Sequence, residues 1–259
     1  MSEIYLFRNG MHSNILLHDV STDGLAVQTN HHLIVHGKWS MILDPGGQTV
    51  FNRVLADSTL VSAGAEVKYV FLSHQDPDIV SGTNDWLRET SADAYISQLW
   101  LRFVPHTDIT EDLQHRLRAI PDEGMWIDLN GCELAILPAH FLHSPGNFHV
   151  YDPLSKILYT GDIGASLGCD YRRVEDFDDH IPFMVGFHER YMASAIAMRT
   201  WARLVRSLDV EIIAPQHGAL FSGKAMVNRL LDWLESLRCG VDRLPDQYQV
   251  PSHRLVTKY

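Results

Sequence analysis

Four short stretches of this chain set histidine or aspartate beside glycine or proline, each directly after an apolar run. They are His74-Gln75-Asp76-Pro77-Asp78, His143 in Leu142-His143-Ser144-Pro145-Gly146-Asn147, Asp162 in Tyr159-Thr160-Gly161-Asp162-Ile163-Gly164, and His217 in Ala214-Pro215-Gln216-His217-Gly218. Imidazole nitrogen and carboxylate oxygen are side-chain donors for divalent metals. Alternating donors on a turned loop can converge on one centre, and loops held by a rigid sheet are where binding groups concentrate. Any one of these residues alone reads as a turn or capping residue. Four such loops in order read as a metal site.

Strands must hold those loops. Residues 14–18, 25–29, 31–36 and 39–43 are apolar or alternating and are expected as strands, the last stopped by Asp44-Pro45-Gly46-Gly47. A helix is expected near 50–60. Residues 67–72 read as a buried strand, and Pro77 prevents the segment beyond from continuing as regular strand or helix interior. The pattern then predicts a helix over 82–90, a strand over 93–97 and helices over 98–104 and 108–118. Further strands are expected at 124–129, 132–138, 147–152, 156–160 and 211–214, with a last helix over 222–238. A long helix over 186–208 would place Tyr191, Met198, Trp201, Val205 and Leu208 on one face. Two β-rich halves, each followed by helices, predict two sheets packed face to face with helices outside. Residues 1–240 are expected to form one domain. The polar stretch 241–259, with Pro245 and Pro251, is expected to be an extended tail, an oligomer contact in a homodimer.

Bulk composition excludes several classes. With 46% hydrophobic residues in 259, the chain can bury a substantial core. A net charge of −11 argues against nucleic acid and anionic membranes as partners. Three cysteines without a CxxC spacing argue against a disulfide framework or zinc ribbon and for a reducing compartment. Cys169 is read as a plain buried thiol. No signal-peptide pattern opens the chain and no apolar run reaches the ~18–20 residues of a membrane span, so the expected location is cytoplasmic.

The order HxDxD, then H, then GD, then HG resembles the metallo-β-lactamase superfamily, whose common first motif is HxHxDH. Asp76 stands where that motif has its second histidine, and Ile79 stands at its last. An acidic residue in the former place resembles the flavodiiron branch, with its HxExD pattern, and 142–147 is similar to that branch's His-Trp-Pro loop. The resemblance runs over about 25–240. It implies an α/β fold of the metallo-β-lactamase type: an αββα sandwich of two mixed β-sheets flanked by helices. It also implies that His74, Asp76 and His143 hold one metal, that Asp78 and His217 hold a second, and that Asp162 bridges them. Asp44 matches the aspartate that steadies the metal loop. Ile79 cannot ligate, so the second metal would keep an open or water-filled position.

Three carboxylates around two ions favour iron or manganese over zinc, because hard anionic oxygens stabilise higher metal charge. The expected cofactor is therefore a pair of iron ions with an oxo or hydroxo bridge, zinc or manganese being the alternatives. FMN is not expected, since no phosphate-cradling Gly-rich turn precedes a helix and no flavodoxin-like domain follows. The pattern looks most like the flavin-free oxygen-binding diiron proteins. The resemblance implies binding of O2, or of NO or peroxide, by a sensor with a signalling partner or by an oxidoreductase with an external electron donor. The alternative is a dinuclear zinc hydrolase acting on an ester, thioester or phosphodiester.

Tyr191 and His188 are candidate catalytic residues at the start of the long helix, facing the metals; a core role for Tyr191 is the competing reading. His140 is a candidate partner of His143 or, equally, a sheet-edge residue. His31 and His32 are read as structural, with a place on the pocket rim as the competing reading, His149 as a strand residue, and Trp86, Trp100 and Trp126 as core.

Overall fold

The computed structural model describes residues 4–17, 27–246, 248 and 250. Seven strands form the first sheet in chain order: β1 (Ile4–Asn9), β2 (His12–Leu16), β3 (His32–His36), β4 (Trp39–Leu43), β5 (Glu66–Phe71), β6 (Asp93–Ser97) and β7 (Leu117–Ile120). β1 to β4 form an antiparallel meander, and β4 to β7 run parallel. The second sheet contains β8 (Met125–Leu129), β9 (Cys132–Pro138), β10 (Phe148–Asp152), β11 (Ile157–Tyr159), β12 (Ile212–Ala214) and β13 (Phe221–Ser222), in the order β13-β12-β11-β10-β9-β8. Of its pairs, β11–β12 is parallel and the others antiparallel.

Alternating side chains build the layers. Ile34, Met41, Leu43 and Phe71 of the first sheet meet Leu134, Ile136, Phe148 and Val150 of the second. Leu33, Val35, Ile42 and Val70 face outward against α1 (Phe51–Val61) and α3 (Thr83–Glu89). The outer face of the second sheet is covered by α4 (Phe177–Tyr191), α5 (Ala195–Arg206) and α6 (Lys224–Ser236) through Met184, Met198, Trp201, Leu230 and Leu234. Each fully buried aliphatic side chain contributes about 1.5–3 kcal/mol. A one-residue slip of any central strand would reverse its two faces, so the register is fixed. This is the αββα sandwich that the motif order implied.

Several expected elements differ. Residues 98–104 and 108–118 are not α-helices. They contain short 3₁₀ turns at Val104–His106 and Gln114–Arg116, and Leu117–Ile120 pairs with β6. Pro105 cannot donate to a helical ladder, and the free edge of β6 captures the later residues. The helix expected over 186–208 is two helices. Ser194 caps α5, its Oγ accepting from the Ala197 N–H at 3.3 Å. Ala193 meanwhile donates to Phe141 O and accepts from Val241 N–H. Tyr191 and His188 therefore end α4 rather than start a helix. No strand occupies 27–29, and the rest of the strand expected at 25–29 lies outside the described residues. Trp86 is fully buried and Trp100 packs at the core margin, but Trp126 is 60% exposed on the outermost strand of its sheet. Cys169 is half-buried, not buried.

The tail does not begin extended. Gly240–Asp246 is a 3₁₀ segment whose Asp242 carboxylate accepts from Ala195 N–H at 2.6 Å. The rest of the tail, apart from 248 and 250, lies outside the described residues.

Candidate metal centre

β4 and β5 are parallel, so both deliver their following loops to one end of the sandwich, and the segments after β9, β11 and β12 reach the same end. Asp44 ties the first two loops together. Its N–H donates to Phe71 O at 2.9 Å, and its Oδ1 accepts from Ser73 N–H at 2.7 Å. This is the steadying role the motif implied. Burial raises the Asp44 carboxyl to about 6, against the lowering effect of the Ser73 N–H.

His74 Nδ1 lies 2.9 Å from Ser73 Oγ, which turns Nε2 inward. Asp76 precedes the short helix α2 (Pro77–Val80), with Pro77 in its favoured first position. Gln75 links this loop to the next. Its Oε1 accepts from Ser144 Oγ at 2.7 Å and its Nε2 donates to Asp76 Oδ1 at 3.0 Å. Ile79 is fully buried beneath α1 and α3, away from the polar cluster.

The six predicted residues converge. Asp162 Oδ2 lies 3.0 Å from His143 Nε2 and 3.4 Å from His74 Nε2. Asp76 Oδ2 lies 3.4 Å from His143 Nε2 and 3.7 Å from His74 Nε2. The other Asp162 oxygen, Oδ1, lies 3.4 Å from His217 Nε2, which is 3.6 Å from Asp78 Oδ2. Donor separations of this size are those of neighbouring ligands on an ion with bonds of about 2.0–2.2 Å. Asp162 thus presents one oxygen to each of two groups: His74, Asp76 and His143 on one side, Asp78 and His217 on the other.

Asp162 Oδ1 is buried and has no hydrogen-bond donor among the described residues. A buried carboxylate oxygen needs such compensation, and a cation between Asp162 and Asp78 would supply it. With protons alone as counter-charge, burial pulls His74 down, but Asp162 and Asp76 outweigh it and hold it at about 10; His143 is held at about 9 in the same way. The His143 and His74 imidazoles keep Asp76 below the usual carboxylate range. Burial opposes, but these two rings prevail, for Asp162. Burial pushes Asp78 up. The site is a place of concentrated negative charge that calls for cations.

His217 is placed by residues that the sequence reading missed. Its Nδ1 donates to Gln28 O at 2.6 Å, and Gln28 Oε1 accepts from Gly218 N–H at 2.8 Å. Asn30 Nδ2 donates to Pro215 O at 3.0 Å and Gly218 O at 2.9 Å. Gly218 has φ +77, and a Cβ there would collide with Ser166. Residues 27–31 are therefore a strap across the His217 loop, not a strand. His31 is buried and lines the cavity above the cluster, whereas His32 packs inside the sandwich on Tyr159. The polar-rich composition of 28–32 was the available signal.

That cavity measures about 790 Å³ and is walled by Val27, His31, Val50, Leu167, Phe187 and Tyr191, with Asp76, Asp78, His143, Asp162 and His217 at its floor. Tyr191 stacks on Phe187 and lies edge-on to the His143 ring at 5.8 Å. His188 does not line it. His188 is fully buried, its Nδ1 donating to Met184 O at 2.9 Å and its Nε2 accepting from Gly164 N–H at 3.0 Å. With both nitrogens engaged and burial lowering it to about 4, it is a neutral tether between α4 and the Asp162 loop. His140 bonds Asp122 O and makes no contact with His143 among the hydrogen bonds. His149, in β10, accepts from Trp201 Nε1 at 2.9 Å.

A family model described as ODP family beta lactamase matches residues 27–218, a span that includes every candidate ligand and the strap. The chain belongs to the ODP family. Its fold is the one that flavodiiron proteins share. A structure described as a peroxy diiron species of the chemotaxis sensor ODP is 41% identical, with a TM-score of 0.83 over 95% of this chain and 99% of that one. The rubredoxin oxygen:oxidoreductase of the anaerobe Desulfovibrio gigas shares the fold, at 14% identity and a TM-score of 0.73, over 87% of this chain and 59% of that one. An uncharacterised protein of Methanocaldococcus jannaschii is 23% identical over 209 residues, 79% of this chain; the chain spans about half (51%) of that relative's length. No helix of the described residues is long and apolar enough to cross a membrane.

Proposed function

We propose that this ODP-family chain holds a pair of iron ions at the six-residue centre and binds dioxygen there as a sensor. The observation that carries the reading is Asp162, whose two carboxylate oxygens each face a separate donor group. His74, Asp76 and His143 would hold one ion, Asp78 and His217 the other, and Asp162 both. Three carboxylates and three imidazoles form a hard, anionic set that suits iron. The 41% identical chemotaxis sensor, described as a peroxy diiron species, supports this choice of metal and ligand. When bound, reduced iron supplies the electrons and open coordination that dioxygen needs.

The chain's own residues do the rest. Asp44 and Ser73 fix the loop that carries His74, and Gln75 with Ser144 locks the His143 loop to it. Gln28 and Asn30 hold the His217 side. Phe187, Leu167 and Val27 give the cavity apolar walls that suit a small apolar gas. Tyr191 stands over His143, at the ligand-binding face. Loops tied by single side-chain hydrogen bonds can shift when the charge on the centre changes. That shift is the signal a partner would read.

The test is stoichiometry of dioxygen uptake by anaerobically reduced protein. Uptake that stops once the stored electrons are used, with altered hydrogen exchange in segments 27–31 and 142–147, is the sensor outcome. Sustained consumption with an added electron donor would make the chain an oxidoreductase component. No uptake together with ester or thioester hydrolysis would make it a zinc-type hydrolase.

A further inference from the structure

At the opposite end of the sandwich three tight hairpins meet. Their registers are Asn9 with His12, His36 with Trp39, and Leu129 with Cys132. They touch directly: Gly37 N–H donates to Met11 O at 3.0 Å, and a Cβ on Gly37 would collide with the Asn130 amide. The register places them a full strand length, about 15–20 Å, from the iron centre.

The hairpin ends bring three donors together. One ring nitrogen each of His12 and His36 and the Cys132 sulfur lie within 4.8 Å of one another. His12 is 1% exposed, and its Nε2 lies 2.8 Å from Asp152 Oδ2. Asp152 is fully buried and is fixed by Asn14 Nδ2 at 2.8 Å, Ser155 Oγ at 2.6 Å and the Leu154 N–H at 3.0 Å. A carboxylate in that place takes the Nε2 hydrogen of His12 and leaves Nδ1 as an acceptor. Its lone pair accepts from His36 Nδ1, 3.1 Å away, and a bound ion would take the place of the shared hydrogen. Two metal–nitrogen bonds of about 2.0–2.1 Å span this gap at an angle of roughly 95–100°. A carboxylate behind a histidine is the outer support that metal-ligating histidines use.

We propose that His12, His36 and Cys132 form a second metal site, taking one borderline-soft divalent ion, with zinc the best match. The thiolate and two imidazoles suit zinc and not the hard-ligand preference of the iron centre. The surroundings agree. The carboxylates of Asp152 and Asp128 act on the Cys132 sulfur and favour a cation beside it. An arriving dication takes the sulfur as thiolate, and the thiol proton leaves to solvent. His36 is half-buried, which leaves one side open to solvent.

Cobalt(II) and zinc chloride, added to the full-length iron-loaded protein, test this. One further equivalent of cobalt should bind, with a near-ultraviolet thiolate-to-cobalt charge-transfer band. The iron centre, having only nitrogen and oxygen donors, cannot give that band. Excess zinc should remove it. Cys132→Ser should abolish the band, and His36→Ala, at a half-exposed hairpin end, should weaken uptake at least about tenfold. Asp162→Ala should keep the band, so failure at this end and failure at the iron centre are separable. A wild type without the band, a band that survives Cys132→Ser, or His36→Ala uptake equal to wild type overturns the proposal.

Discussion

At one end of the sandwich Asp76, Asp78 and Asp162 meet His74, His143 and His217; at the other, His12 and His36 meet Cys132. The backbone between them is the same set of strands, so the difference lies in how the strands are joined. Loops that leave the strands at the first end are irregular and several residues long. One of them carries three donors within five positions, 74–78. Two-residue hairpin turns at the far end have no room for this, and each offers only its strand-end residue. Long loops therefore build a crowded anionic cage, whereas tight turns build a sparse neutral cluster backed by one buried carboxylate, Asp152. The first needs a strap and cross-links to hold it, and the second is positioned by sheet register and by the Asp152 carboxylate behind His12.

The largest effect should come from Asp162→Ala. Elemental analysis should find both irons lost together, because Asp162 faces both donor groups. Retention of one iron would show that the carboxylate does not span the pair. Next comes Asn30→Ala, which removes two hydrogen bonds to the His217 loop. It should lower stability by about 1–3 kcal/mol in urea denaturation and weaken the iron held by Asp78 and His217 about 10–100-fold. Equal weakening of both irons would mean the two sides are not separately supported.

Histidines buried between the ends give a smaller, pH-dependent effect. Burial lowers His149 to about 3, so between pH 6.5 and about 3 the unfolded chain holds a proton there that the folded chain does not. Its contribution is full above pH 6.5 and is lost as the pH falls through that window. His149→Gln should flatten the fall in stability on acidification by up to about 1.4 kcal/mol per pH unit, read from urea midpoints across a pH series. An unchanged slope would mean the ring is protonated in the folded chain. Smaller again is Tyr191→Phe. It should leave iron content unchanged and speed dioxygen release about fivefold, the worth of one hydrogen bond of about 1 kcal/mol. A release rate equal to wild type would leave the phenol a wall residue.

The contrast between the ends also explains what could be read from the amino acids. The iron-type cluster was legible because its donors crowd into short segments beside glycine and proline. The far cluster was not, because His12, His36 and Cys132 each stand alone among ordinary strand residues and meet only through register. Central strands such as β4 and β9 showed in their apolar runs and turn stops. Leu117–Ile120 did not, since pairing with β6 decided its conformation. The break at Ser194 was hidden because the apolar spacing continues across it. The strap at 27–31 was hidden because its hydrogen bonds go to a loop nearly 190 residues away in sequence.

The most direct measurement is the metal content and absorption spectrum of protein expressed in iron-replete medium, purified without oxygen, reduced and then aerated. A pair of irons per chain and a new charge-transfer band on aeration are the predicted result. A pair of zincs with no iron, or iron-loaded protein whose spectrum does not change on aeration, would contradict the account.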